Sequence, residues 1–173
     1  MRIGSFPVRA LAHMQIMTDL TPAPLTAEDF SSEATAIQAM AIQAIDRLAR
    51  AGLRPTRQRV ALAKLLFDGH DRHVTAEQLH GEASTADMRV SLATVYNTLH
   101  QFTEAGLLRE VVVEAGRSYF DTNVSDHHHF FFEGNGHLID IPGDALAVSG
   151  LPDAPAGTRV ARVDVIIRLS DGN

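Results

Sequence analysis

The stretch Ser91–Asp121, SLATVYNTLHQFTEAGLLREVVVEAGRSYFD, changes its hydrophobic period halfway along. Up to Gly106, the residues Leu92, Val95, Leu99 and Phe102 recur every three or four positions, the spacing of one face of an α-helix. Ser91 stands where an N-cap belongs, and Thr94, Asn97, His100 and Gln101 fall on the other faces. Beyond Gly106 the period becomes two. Leu108–Glu114 and Ser118–Asp121 read as strands around Ala115-Gly116, a hairpin signal. A helix running into a hairpin is the closing half of a winged helix-turn-helix, and the last helix before the hairpin is then the recognition helix.

The upstream sequence supplies the other helices of that motif. In Ala34–Ala51, residues Ile37, Met40, Ile42, Ile45 and Leu48 recur at roughly helical spacing, and Gly52 closes the helix. Thr56 is an N-cap for a second helix reaching about Phe67, with Val60, Leu62, Leu65 and Leu66 on its apolar side. After the loop Asp68–Asp71, Thr75 opens a third helix, and Gln78 three residues on fits a capping box. The net charge is −6, yet Arg47–Phe67 carries six basic residues and no acidic one. That run is either a solvated helix face or a phosphate-facing patch on an otherwise acidic chain.

A second unit begins near Val124. His128–Phe132 and His137–Ile141 read as strands around the turn Gly134-Asn135-Gly136, and Arg159–Leu169 alternates as one further strand. A unit of about fifty residues has trouble burying a core alone, so dimerisation through its sheet is the natural remedy. The expected fold class is α+β. It comprises an N-terminal arm (1–33), a winged helix-turn-helix (34–122) and a small α/β dimerisation domain (123–173). The first residues, MRIGSFPVRALAHMQIM, make a poor signal peptide because Arg9 and His13 interrupt the apolar run; Met14 or Met17 could be the true start. No stretch approaches eighteen uninterrupted apolar residues, which argues against a membrane span.

The chain has nine histidines and no cysteine. Cysteine-bound structural zinc, disulfides and a catalytic thiol are excluded, so a metal site must use His, Asp and Glu. Such ligands favour Fe(II), Mn(II) or Zn(II). Three histidines run into three phenylalanines in SDHHHFFFE (Ser125–Glu133). On a strand, His127 and His129 share a face and His128 points away. His73, Asp121 and Asp140 sit where they could complete a shell of three nitrogens and two oxygens. Such an ion would tie the two halves together. Haem is the other candidate, with His127, His128 or His129 as axial ligand and the phenylalanines as an apolar wall. The simpler reading makes the phenylalanines strand core.

Four segments resemble the ferric uptake regulator superfamily of metal-sensing repressors. They are L-R-P-T-R-Q-R (Leu53–Arg59), H-V-T-A-E-Q-L (His73–Leu79), A-T-V-Y-N-T-L (Ala93–Leu99) and S-Y-F-D-T-N-V-S-D-H-H-H (Ser118–His129). Within it, H-H-H-F-F-F-E-G followed by L-I-D-I-P is similar to the iron response regulator branch. The resemblance implies a cytoplasmic homodimer that binds a pseudo-palindromic promoter in double-stranded DNA. It implies a regulatory metal on His73, Asp121, His127, His129 and Asp140, and it implies responsiveness to haem. It places Tyr96 against DNA bases and the basic residues of Leu53–Arg59 near the DNA backbone or minor groove. The DNA-contacting residues expected on these grounds are Arg54, Arg57, Arg59, Ser91, Thr94, Tyr96 and Asn97. Asn97 stands where the superfamily usually carries arginine. The cysteine pairs that hold zinc in most members are absent.

The leading expectation is therefore a regulator of iron and haem homeostasis genes, not an enzyme. A superfamily repressor sensing Mn(II), Fe(II) or Zn(II) without haem is the alternative. A small metallohydrolase is disfavoured, since no HExxH pairing exists and Glu133 is the only nearby acid on the strand.

Overall fold

The computed structural model describes residues 27–114, 116–170 and 172. Helix α1 spans Ala27–Arg50 and α2 spans Arg57–Leu66. Strand β1 (His73–Val74) precedes α3 (Ala76–Thr85) and α4 (Leu92–Glu104). Strands β2 (Arg109–Glu114) and β3 (Arg117–Asp121) form the hairpin after α4. The second sheet is built from β4 (His127–Phe132), β5 (His137–Pro142) and β6 (Ile166–Leu169). Helices followed by a hairpin, then a second sheet, are the expected α+β arrangement.

The helix starts follow the expected caps. Thr56 accepts a hydrogen bond from Arg59 N at 3.3 Å. Thr75 accepts from Gln78 N at 3.2 Å, and Gln78 Oε1 accepts from Thr75 N at 2.8 Å, the reciprocal capping box. Ser91 caps α4 through Thr94 N at 3.2 Å. At the far end, Gly106 takes φ +72°, and Leu107 N reaches back to Phe102 O at 2.8 Å. This left-handed stop suits glycine and releases the chain into β2.

Two expectations need correction on α1. It begins at Ala27, inside the stretch read as an arm; residues 1–26 of that stretch lie outside the described residues. No proline lies between Pro24 and Pro55, so none stops the alanine-rich helix from extending back to Ala27. Of its expected apolar side, Leu48 is buried, but Ile37, Met40, Ile42 and Ile45 are exposed. Ala44 and Leu48 belong to the core formed with α2 and its neighbours, while Ile37, Met40, Ile42 and Ile45 lie outside it.

The first sheet has the order β1-β3-β2 and is antiparallel throughout. Its two faces serve different cores. Phe120 and Leu108 pack with Leu48, Leu62, Leu66, Leu79, Leu99 and Phe102 in the helical head. Val111, Val113 and Tyr119 pack instead against Phe131 and Leu138 of the second sheet. The wing is thus shared between the two halves. Fully burying a side chain such as Phe120 contributes about 1.5–3 kcal/mol.

The second sheet has the order β5-β4-β6, with β4–β5 antiparallel and β4–β6 parallel. Gly136, at φ +68°, closes the turn between β4 and β5 by donating its N–H to Phe132 O at 2.8 Å. Phe131 is core, while Phe130 and Phe132 are half-buried. The expected strand Arg159–Leu169 is shorter than its alternation suggests, since only Ile166–Leu169 pairs. The ladder ends because Arg109 Nη1 donates to His127 O at 3.1 Å and Asp164 is drawn into ion pairs with Arg109 and Arg162.

Candidate metal centre

Two strand ladders each set a histidine opposite an aspartate. The β1–β3 register pairs His73 with Asp121, and the β4–β5 register pairs His129 with Asp140. Directly opposed residues hold their Cβ atoms about 4.5–5.5 Å apart, so each pair is a product of strand pairing alone. Packing of the wing against the second sheet brings the two pairs together. His127 joins them because it shares a face of β4 with His129.

The resulting distances are short. His127 Nε2 lies 2.8 Å from Asp121 Oδ2 and 3.0 Å from His129 Nε2. The same Asp121 oxygen is 3.4 Å from His129 Nε2 and 3.5 Å from His73 Nε2. Asp140 Oδ1 lies 2.9 Å from His73 Nε2, 3.7 Å from His127 Nε2 and 3.9 Å from His129 Nε2. One donor atom from each of the five residues falls within 4.8 Å of all the others. Donors about 2.0–2.2 Å from a common ion stand about 3 Å apart when adjacent and about 4 Å when opposite, so this spacing is that of a coordination shell.

The chemistry of the donors fits a cation as well. His127 Nδ1 donates to Ser125 O at 2.9 Å, which leaves a lone pair on Nε2 facing the Asp121 carboxylate. Arg109 Nη1 also approaches Nδ1, at 3.3 Å, but the nearer carbonyl decides the tautomer and Arg109 donates to the His127 carbonyl instead. Two lone pairs 2.8 Å apart repel unless a proton or a cation lies between them. His73 Nε2 and Asp140 Oδ1 are both buried with no hydrogen-bond partner, although they stand 2.9 Å apart, so their approach is off the axis of a hydrogen bond. A buried polar atom left unpaired costs about 1–3 kcal/mol, which a shared ion would offset. Burial pushes the Asp121 carboxyl up, but the His129 and His73 imidazoles that face it and the Asn123 backbone N–H outweigh burial and hold the group well below the usual carboxylate range.

Asp121 and His129 are fully buried and His127 nearly so. Three imidazoles and two carboxylates suit Fe(II), Mn(II) or Zn(II). Around this shell stand two residues that the sequence reading did not single out. Arg109 reaches His127 from β2, and no local pattern marks it, because an arginine at a strand start is ordinarily exposed. Asn123 hydrogen-bonds Asp121 through its backbone and Asp140 through its side chain. The D-x-N-x-S spacing from Asp121 to Ser125, typical of consecutive side-chain-to-backbone turns, was the available signal.

The residues expected to hold haem are placed differently. His127 and His129 turn Nε2 into the five-residue cluster. His128 faces the opposite side of β4, where its Nδ1 accepts from Val165 N at 3.4 Å. All three are buried, so a porphyrin would reach one only by displacing the side chains that cover that face of the sheet. Glu133, the acid that a hydrolytic reading would need, pairs with Arg168 at the other end of β4.

The residues expected to face DNA lie on or beside α2 and α4. Arg54, Arg57, Ser91 and Asn97 are exposed. Ser91 Oγ and Thr94 Oγ1 are 2.9 Å apart and engage each other at the start of α4. Tyr96 OH donates to Glu77 at 2.7 Å on the surface between α3 and α4. Arg59 is the exception. Its guanidinium donates twice to Gln101 Oε1, at 3.1 and 2.8 Å, and once to Arg54 O at 2.9 Å, so it ties α2 to α4. Arg89, exposed just before Ser91, lines the same surface cavity as Arg57 and was not anticipated.

Comparison with known proteins agrees with this geometry. The model of the Ferric uptake regulator family matches residues 50–150. The Peroxide-responsive repressor PerR of Staphylococcus epidermidis is 33% identical over 110 residues, which cover 64% of this chain and 73% of the relative. That of Staphylococcus aureus (strain Mu50) is 34% identical over 98 residues, covering 57% of this chain and 66% of the relative. Among solved structures, the ferric uptake regulator of Vibrio cholerae superposes with a TM-score of 0.58 at 22% identity, covering 73% of this chain and 98% of that one. The Pseudomonas aeruginosa ferric uptake regulator, solved with manganese, gives 0.56 at 24% identity, covering 75% and 98%. At these identities the two structures speak for the fold.

Proposed function

This chain belongs to the ferric uptake regulator family, and on that premise we propose that it is a transcription regulator whose DNA affinity is set by a divalent metal. His73, Asp121, His127, His129 and Asp140 would hold the ion, with Fe(II) or Mn(II) preferred over tetrahedral zinc by the five-donor set. The observation that carries the reading is the convergence of these five donors within 4.8 Å. They come from both halves: His73 and Asp121 from the head and its wing, the other three from the second sheet. A bound divalent ion supplies the positive charge that the facing lone pairs need. His73 is then held to the second sheet, which restricts how the head, and α4 with it, can turn. α4 and the wing would meet the DNA, with Arg54 and Arg57 on phosphates and Tyr96 on bases.

A second copy is part of this reading. The second sheet has three strands, and Ile139, Val148, Leu151 and Val160 are exposed on it or beside it. A two-fold dimer would present two α4 helices to a pseudo-palindromic operator. Among the described residues, no helix is long and apolar enough to cross a membrane.

The test is DNA retardation on a pseudo-palindromic promoter fragment, with Fe(II), Mn(II), Zn(II), haem and chelator compared at one stated salt concentration. A metal that sets DNA affinity should change it by about 5- to 150-fold relative to chelator. Equal affinity with metal and with chelator would sink the reading. Haem-responsive control of iron and haem genes, which the likeness to iron response regulators implies, is the second reading. His128 favours it, since the cluster leaves that histidine unused. Haem absorbance on titration should then change with His128→Ala; an unchanged spectrum removes His128 as an axial ligand.

A further inference from the structure

Residues 122–126 carry the chain from the wing to the second sheet, and Asn123 lies at the centre of that link. Its backbone N–H donates to Asp121 Oδ1 at 2.8 Å. Its side-chain Nδ2 donates to Asp140 Oδ2 at 2.8 Å. The remaining amide atom, Oδ1, accepts from Ser125 N at 3.1 Å and Ser125 Oγ at 2.5 Å. The Ser125 backbone N–H can only donate, so it settles which end of the amide is oxygen, and Nδ2 must face Asp140. One asparagine therefore occupies one oxygen of each carboxylate in the cluster. The other oxygens, Asp121 Oδ2 and Asp140 Oδ1, are the two that face the histidines.

We propose that Asn123 is a positioning residue that holds Asp121 and Asp140 to one donor oxygen each and so sets the five-donor shell. The inference rests on the metal-binding reading above. Without the amide, Asp140 is free to rotate and offer both oxygens, and the shell loses its set geometry. Because Asn123 touches a ligand from the wing and another from the second sheet, it also registers the two halves against each other at the site. Groups outside a metal shell that orient its ligands are worth about 10–100-fold in affinity.

The experiment measures Mn(II) affinity by competition with a chelating dye for the full chain, Asn123→Ala, Asp140→Asn and the double variant, with circular dichroism of each apo protein as the folding control. Asn123→Ala should bind Mn(II) about 10–100-fold more weakly than the parent. If it acts through Asp140, adding it to Asp140→Asn should change affinity by less than about threefold, since coupled residues do not add. If Asn123→Ala fails to fold, Asn123→Ser takes its place: its short hydroxyl can keep the turn to Ser125 but has no Nδ2 to reach Asp140, and the expected loss should again vanish beside Asp140→Asn. Parent-like Mn(II) binding by the single variant, or full additivity in the double variant, overturns the role of Asn123 and leaves the metal site standing. A parent chain that binds no Mn(II), Fe(II) or Zn(II) overturns both.

Discussion

At the five-residue cluster three donor groups, those of His127, Asp121 and Asp140, are held from behind, whereas on the exposed face of α4 few are. His127 is fixed by Ser125 on one side and meets Asp121 and His129 on the other. The Tyr96 hydroxyl donates to Glu77 at the surface, and Arg54 and Arg57 stand in solvent. The cluster is organised before any ligand arrives. The face of α4 proposed to meet DNA is supported by its cap and core, but its side chains are left for a partner to order. Substitutions in the cluster should therefore act through geometry, and those on α4 through contacts with DNA.

The largest expected effect tests the first half of that contrast. Asp121→Ala removes the oxygen that three imidazoles face, and Mn(II) affinity should fall by at least about 100-fold, beyond the range for residues outside the shell. Chelator competition measures it, and parent-like binding would break the contrast. Tyr96→Ala should weaken operator binding by about 1–3 kcal/mol while leaving Mn(II) affinity of the free protein unchanged. Retardation assays on specific and scrambled DNA separate that loss from a general one.

A matched pair of arginines sharpens the comparison further. Arg59→Ala should lower stability by about 1–2 kcal/mol in urea unfolding, because its guanidinium bridges α2 to Gln101 of α4. Arg57→Ala should leave stability unchanged and reduce the salt dependence of DNA binding by about one counterion. If both arginines behave alike, exposure does not sort the two regions. The smallest effect is expected from Thr75→Ala, about 1 kcal/mol of stability from the lost cap. Since Thr75 follows β1, thermal unfolding with and without Mn(II) would show whether the cap also supports His73.

Much of this molecule was legible locally. Thr56, Thr75 and Ser91 marked helix starts because a cap depends on three or four consecutive residues. The change of period at Gly106 located the wing. Strand parity alone separated His127 and His129 from His128, and β4 keeps that division. Arg59 shows the limit: its position in a basic run suggested DNA, and only its contact with Gln101 on another helix reveals a tie within the fold.

The remaining features depend on distant parts of the chain meeting. A two-residue strand at His73 is too short to leave a periodic trace, yet its pairing with Asp121 supplies one side of the cluster. The alternation of Arg159–Leu169 specified two faces but could not say where a partner strand would end. Asn123 reaches Asp140 and Arg109 reaches His127 through hydrogen bonds that no local pattern records. Periodicity and caps record interactions within a few residues, so they place helices, strands and donor types. Ladder register and sheet packing join segments about fifty positions apart, as Arg72 and Thr122 are joined beside the cluster, and they settle which donors meet.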